Sequence, residues 1–276
     1  MSETVNLNAY FNRIDFAGSI APTLATLEAL VALHAAAIPF ETLNPLLGLP
    51  VPLDQKSLEK KLLADRRGGY CFEHNLLFMR VLADLDYSVR PLPARVLWGK
   101  PEENPPVSHM LLAVDISGAT YIADVGFGGI TPTAPLRLRD GAEQSTPHET
   151  FRLTDTEGDW QLDVKLGEEW RPVYRFTLTT FEAEVYQAMN LSFATDPDSR
   201  FRQRLVAAIS PKGARHTLAG NRLSTHSLEN GTTHADLDDL DEIKDTLSDT
   251  FGINLAGLEN LDAALQAFVP APATTP

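Results

Sequence analysis

The chain has 276 residues, 43% hydrophobic and 22% charged, with a formal net charge of −14. That mixture belongs to a globular protein with a sizeable core and excludes a disordered chain. The acidic balance argues against nucleic acid as a main partner, because neutralising phosphates needs a basic surface. A single cysteine excludes an internal disulfide and a cysteine metal cluster. The start, MSETVNLNAY, lacks the basic and apolar regions of a signal peptide, and no apolar run reaches bilayer length. These features lead us to expect a cytoplasmic protein with no membrane partner.

From residue 3 to about 90 the pattern is mainly helical. LATLEALVALHAAAI carries Leu24, Leu27, Leu30, Val31 and Ile38 near helical spacing, and Pro39 ends it. SLEKKLLAD (57–65) predicts a second helix capped by Ser57. CFEHNLLFMRVLADL predicts a third, with Glu73 in its first turn. From about 87 the runs become short and β-rich (YSVRPLPARVLW, HMLLAVDI, TYIADVGF, TFRLTDTEGDWQLDVKL, EWRPVYRFTL), and DTEGDW reads as a hairpin turn. Strands without intervening helices predict an antiparallel sheet or small barrel. After about 181, FEAEVYQAMN returns to helix, RLVAAI is a short apolar run, and FGINLAGLENLDAALQAF reads as helical. The acidic stretch DLDDLDEIKD (236–245) reads as a solvated helix face, and the tail PAPATTP as disordered.

The stretch RRGGYCFEHN (66–75) places Cys71 at the start of a helix, where unpaired N–H groups and the helix dipole favour an anion. The preceding glycines permit a sharp turn and close approach of a ligand. A buried, inert cysteine fits the same residues, so a base is required. Of the seven histidines, His74 is expected on the helix surface, and His34, His148, His216, His226 and His234 in structural or solvated roles. His109 opens HMLLAVDI, which a turn joins to TYIADVG. If Ser117 and Gly118 form a two-residue loop, Ile116 pairs with Ala119 and paired numbers sum to 235. Leu111 then faces Asp124, and His109 is its diagonal neighbour on the same face, roughly 7–8 Å away. A three-residue loop would put the two on opposite faces. Asp124 also needs a partner, since an unpaired carboxylate in an apolar strand is costly. Cys71, His109 and Asp124 could thus form an activated-nucleophile triad, although spacing alone does not bring Cys71 to His109.

At this point the sequence resembles the arylamine N-acetyltransferases. RGGYCFEHN (67–75), SHMLL (108–112), DVGFGG (124–129) and HAAAIPFETL (34–43) carry the resemblance, with support from YFNRIDFAG and NLSFATDPDSRF (190–201). The resemblance implies an α+β fold in three parts: a helical bundle (1–88) carrying Cys71, a central antiparallel β-barrel (89–185) carrying His109 and Asp124, and an α/β lid (186–276). It implies acetyl transfer from acetyl-CoA, as co-substrate, through a Cys71 thioester to an arylamine or arylhydrazine, with no permanently bound cofactor and no metal. Cys71 would be nucleophile, His109 base and Asp124 its orienter. Phe40, Tyr70 and Phe127 would line the pocket, Gly126, Gly128 and Gly129 would admit acetyl-CoA, and Glu41 and Arg67 would brace the cysteine loop. There is one departure: the usual PFENL reads PFETL, with Thr42 in place of Asn. Lys212, Arg215 and Arg222 are a candidate basic patch. A transglutaminase-like or papain-like hydrolase, an amide synthase and a non-catalytic binding module are the competing readings.

Overall fold

The computed structural model describes residues 4–99 and 104–271. The helices are α1 (Leu7–Ile14), α2 (Leu24–Ala37), α3 (Leu43–Leu46), α4 (Gln55–Leu58), α5 (Cys71–Asp84), α6 (Ala183–Thr195), α7 (Arg200–Gln203), α8 (Leu240–Asp245) and α9 (Leu261–Leu265). The strands are β1 (Phe40–Glu41), β2 (Ser88–Val96), β3 (Val107–Ile116), β4 (Ala119–Ala123), β5 (Leu136–Arg137), β6 (Glu143–Ser145), β7 (Thr150–Thr156), β8 (Asp159–Leu166), β9 (Glu169–Phe176), β10 (Val206–Ile209), β11 (Ala214–Ala219), β12 (Arg222–Ser227) and β13 (Gly231–Asp236). No helix among the described residues is long and apolar enough to cross a membrane. Residues 272–276 of the expected disordered tail lie outside the described residues.

Strands β2 to β9 form one antiparallel sheet in the order β5-β4-β3-β2-β9-β8-β7-β6. It curls into a nearly closed barrel, and its two edges meet where the Gln144 amide both accepts from Arg137 N–H and donates to Arg137 C=O. The fold is therefore α+β with a central antiparallel barrel, as expected.

Strand β3 explains the arrangement of the core. Met110, Leu112 and Val114 pack with the helices against Leu30, Phe72, Leu77 and Phe78. The alternate residues, Leu111 and Ala113, pack with Ile122, Leu153 and Val173 inside the barrel. A strand buried on both faces reads as a continuous apolar run, as HMLLAV does. A third cluster (Leu205, Ala207, Leu218, Ile243, Leu247, Phe251) sits under the five-stranded sheet β1-β10-β11-β12-β13.

Some elements differ from expectation. The helix placed at 57–65 starts earlier, because Asp54 rather than Ser57 caps it, accepting from Ser57 N–H at 3.0 Å; it continues as a π-helical turn, Glu59–Ala64. RLVAAI contributes β10. In FGINLAGLENLDAALQAF only residues 261–268 are helical; Gly252 and Gly257 take positive φ and break the segment before them. His216, His226 and His234, expected in structural or solvated roles, lie on β11, β12 and β13.

Candidate active site

Cys71 is the first residue of α5. Its helix start is held by Glu73, whose Oε2 accepts from Tyr70 N–H at 3.0 Å, while Oε1 accepts from Lys61 Nζ at 2.7 Å. Glu73 is buried, and burial raises its carboxyl above the ordinary range against the pull of Lys61. Ahead of the cysteine, Arg67 donates to Glu41 Oε1 through Nε at 3.0 Å and to Asn44 Oδ1 at 3.0 Å. Glu41 Oε2 in turn accepts from Leu43 N–H at 2.6 Å. Burial works against charge on Glu41, but Lys61 and Arg67 hold its carboxyl below the usual value. Gly68 has no room for a side chain: a Cβ there would lie 2.0 Å from the Pro39 oxygen.

The hairpin of β3 and β4 delivers the other two residues. Ser117 and Gly118 both take positive φ, 49° and 78°, the conformation of a two-residue turn whose twist matches the strands. Ile116 pairs with Ala119 and Leu112 with Ala123, the register anticipated from sequence. Asp124 follows directly, sharing the face of Ile122. His109 Nε2–H donates to Asp124 Oδ2 at 2.7 Å. The other carboxylate oxygen accepts from Gly126 N–H at 3.0 Å and from Asn75 Nδ2 at 3.1 Å, so the acid is fixed at both oxygens.

Burial alone would drive the His109 imidazole down. The Asp124 carboxylate, and then the adjacent Cys71 sulfur, outweigh it and raise the ring to about 10. Burial opposes ionisation of Asp124, but His109, Gly126 N–H and Asn75 keep its carboxyl below the ordinary range. Both residues are at most 2% exposed, so solvent screening of the pair is slight. Cys71 Sγ lies 4.0 Å from the Ser108 carbonyl oxygen, next to His109 in the chain.

These residues open onto a cavity of about 860 Å³ lined by Cys71, His109, Phe40, Gly126, Phe127, Gly128 and Gly129, together with Trp98, Arg200, Arg204, Thr217 and His226. Phe127 meets the His109 ring edge-on at a centroid distance of 5.1 Å. The wall is glycine-rich for steric reasons. A Cβ on Gly126 would lie 2.9 Å from Cys71 Cα, one on Gly129 2.8 Å from a Thr217 methyl, and one on Gly128 3.3 Å from the Phe40 ring.

Tyr70 does not line the cavity. It is fully buried behind it, edge-on to Phe72 and Phe201, and its hydroxyl donates to Asn190 Oδ1. Thr42, where the resemblance implies Asn, has its hydroxyl bonded on both sides: it donates to Arg204 C=O at 2.8 Å and accepts from Val206 N–H at 3.0 Å.

The candidate basic patch does not form. Arg215 is buried, donating to Glu149, Ser210 Oγ and Thr131 C=O; Arg222 is exposed and paired with Asp236 at 2.7 Å. His74 is not on the surface either, being fully buried against His34.

Sequence reasoning missed Asn75, Lys61, Glu149 and Arg200. Asn75 had a signal: four residues after Cys71, it shares that residue's helix face. There it ties β3 to the segment that follows β4, donating to Met110 C=O at 2.7 Å and accepting from Val125 N–H at 3.2 Å.

The N-acetyltransferase family model matches residues 23–260. The arylamine N-acetyltransferase of Mycobacterium tuberculosis is 44% identical over 92% of this chain and 91% of its own length. Its solved structure superposes with a TM-score of 0.91 at 42% identity, covering 96% of this chain and all of that one. The Mycobacterium marinum arylamine N-acetyltransferase solved in complex with CoA gives 0.90 at 41% identity, covering 95% and 98%. The chain belongs to the arylamine N-acetyltransferase family.

Proposed function

We propose that the chain transfers an acetyl group from acetyl-CoA to the nitrogen of an arylamine or arylhydrazine by a ping-pong route through Cys71. The observation that carries this reading is the buried line Asp124–His109–Cys71 opening onto one apolar cavity. His109 Nε2–H is committed to Asp124, which leaves Nδ1 to exchange a proton with the Cys71 sulfur. A ring held up at about 10 is cationic at neutral pH, as a resting thiolate–imidazolium pair requires.

In the first half-reaction Cys71 Sγ attacks the thioester carbonyl and a C–S bond forms. The tetrahedral intermediate then expels the CoA sulfur, which takes the His109 proton and leaves as the thiol. The backbone N–H of Cys71, at the helix start, is the candidate donor to the transient oxyanion. In the second half-reaction the amine nitrogen attacks the acetyl carbonyl, His109 takes the nitrogen's proton, and the Cys71 sulfur leaves as thiolate. Imidazolium and thiolate are restored, and the acetamide departs.

Phe40 and Phe127 offer flat apolar faces for an aromatic acceptor, and Gly126, Gly128 and Gly129 let the donor approach the backbone closely. Glu41 and Arg67 keep the cysteine loop in place. In this reading residues 1–88 supply the nucleophile, 89–185 the base and its orienter, and 186–276 the lid. The proposed place of action is the cytoplasm, where acetyl-CoA is at hand.

Initial rates at several fixed amine concentrations test the route. Parallel double-reciprocal lines against acetyl-CoA are expected, with no turnover by Cys71→Ala. Intersecting lines, or a Cys71→Ala variant that retains activity, would rule out the covalent route.

A further inference from the structure

Two histidines outside the triad are buried in one another's company. His34 on α2 and His74 on α5 have no solvent exposure. His34 Nε2 lies 2.9 Å from His74 Nδ1, Tyr10 Oη lies 3.0 Å from His34 Nδ1, and His74 Nε2 lies 3.1 Å from the Pro39 carbonyl oxygen.

The last contact sets the direction of all three. A carbonyl can only accept, so His74 Nε2 carries the proton. In the neutral ring His74 Nδ1 then accepts, so His34 Nε2 carries a proton, and His34 Nδ1 accepts from the Tyr10 hydroxyl. Burial favours these neutral forms, pushing His34 well below its ordinary value and His74 down to about 4.

The chain of bonds ends beside the cavity. The Pro39 oxygen also receives Gly69 N–H at 3.3 Å, so it is held by one residue shortly before Cys71 and by another one turn after it. The next residue, Phe40, bridges to Gly69, and its ring faces Gly128 across the cavity wall.

We propose that Tyr10, His34 and His74 form a one-way hydrogen-bond relay that positions Phe40 against the nucleophile's helix, making His74 a positioning residue for the aromatic acceptor. Its two ring nitrogens are committed to His34 and Pro39, so neither bonds the sulfur or the His109–Asp124 pair, and three satisfied polar side chains fix geometry where hydrocarbon would fix only volume.

This inference rests on the acetyl-transfer reading, so the test combines activity with a readout independent of it. His74→Asn keeps a group near the Nδ1 position to face His34 but falls short of Pro39; His74→Gln reaches the Nε2 position. The relay predicts that His74→Asn raises the acceptor KM about 3- to 10-fold, the scale of one lost net hydrogen bond. Acetylation of Cys71 by acetyl-CoA should stay within about 2-fold of wild type, and His74→Gln should restore most of the acceptor KM. Long-range ¹H–¹⁵N spectra of the wild type at pH 7 should show both rings neutral and protonated at Nε2. An unchanged acceptor KM in folded His74→Asn, an equal loss in both half-reactions, or an Nδ1-protonated or cationic ring in the spectra would overturn the relay. If the wild type acquired no acetyl group at all, the activity reading would fail while the spectra still decided the relay.

Discussion

Asp124 lies one residue beyond the end of β4, yet its Oδ2 accepts the His109 Nε2–H at 2.7 Å. Removing its charge while keeping its shape isolates what the carboxylate does. Asp124→Asn is expected to fold and to lose at least about 100-fold in kcat/KM, because the imidazolium loses its counter-charge and its fixed tautomer. Steady-state rates measured beside a thermal melt check this; full activity in the folded variant would contradict it.

The same pair makes stability depend on alkaline pH. The His109 ring titrates near its ordinary 6.5 when unfolded and at about 10 in the folded protein. Its contribution is therefore fully present below about 6.5 and is lost as pH rises through about 10. The urea midpoint of the wild type should fall between pH 7 and 10 by more than that of His109→Gln. Parallel declines would show that the ring is not held cationic.

Gly126 is a position where the loop after β4 packs tightly against Cys71. Gly126→Ala would set its methyl 2.8 Å from Asn75 Nδ2 and 2.9 Å from Cys71 Cα, and both neighbours are fixed. A loss of about 1–3 kcal/mol in stability is expected, together with a greater loss of acetylation rate than Gly129→Ala causes. At Gly129 the clash is with a Thr217 methyl, which can turn aside.

Arg215 and Glu149 join β11 to the turn before β7 at the cavity wall, 3% and 5% exposed at their side chains. Arg215→Met leaves the Glu149 carboxylate buried without its partner and should cost about 3–5 kcal/mol. Adding Glu149→Leu should recover much of that loss in a urea titration. No recovery would mean the arginine acts through its other bonds, to Ser210 and Thr131.

The legible parts of this molecule are those set by local rules. Ser117 and Gly118 specify the hairpin register, and that register alone is enough to put His109 beside Asp124. The glycines ahead of Cys71 mark the helix start that sets it at the cavity wall. His74 defies its expected surface position although its period is informative: Cys71, His74, Asn75 and Phe78 form one i, i+3, i+4, i+7 stripe, and that stripe faces the core. The polarity of the side chain hides its burial, because the compensating partner, His34, is 40 residues away. Arg215 is hidden in the same way, its partner Glu149 being 66 residues distant. The strands β11 to β13 carry polar residues on both faces, so they lack the alternation that marks the barrel.

The proposed route passes through an acetyl group on the Cys71 sulfur, which intact-protein mass reads directly. After brief incubation with acetyl-CoA, the wild type should gain one acetyl group, Cys71→Ala none, and an added arylhydrazine should discharge it. An unmodified wild type whose Cys71 is still readily alkylated would contradict the account and point to a hydrolase or an amide synthase with another acyl donor.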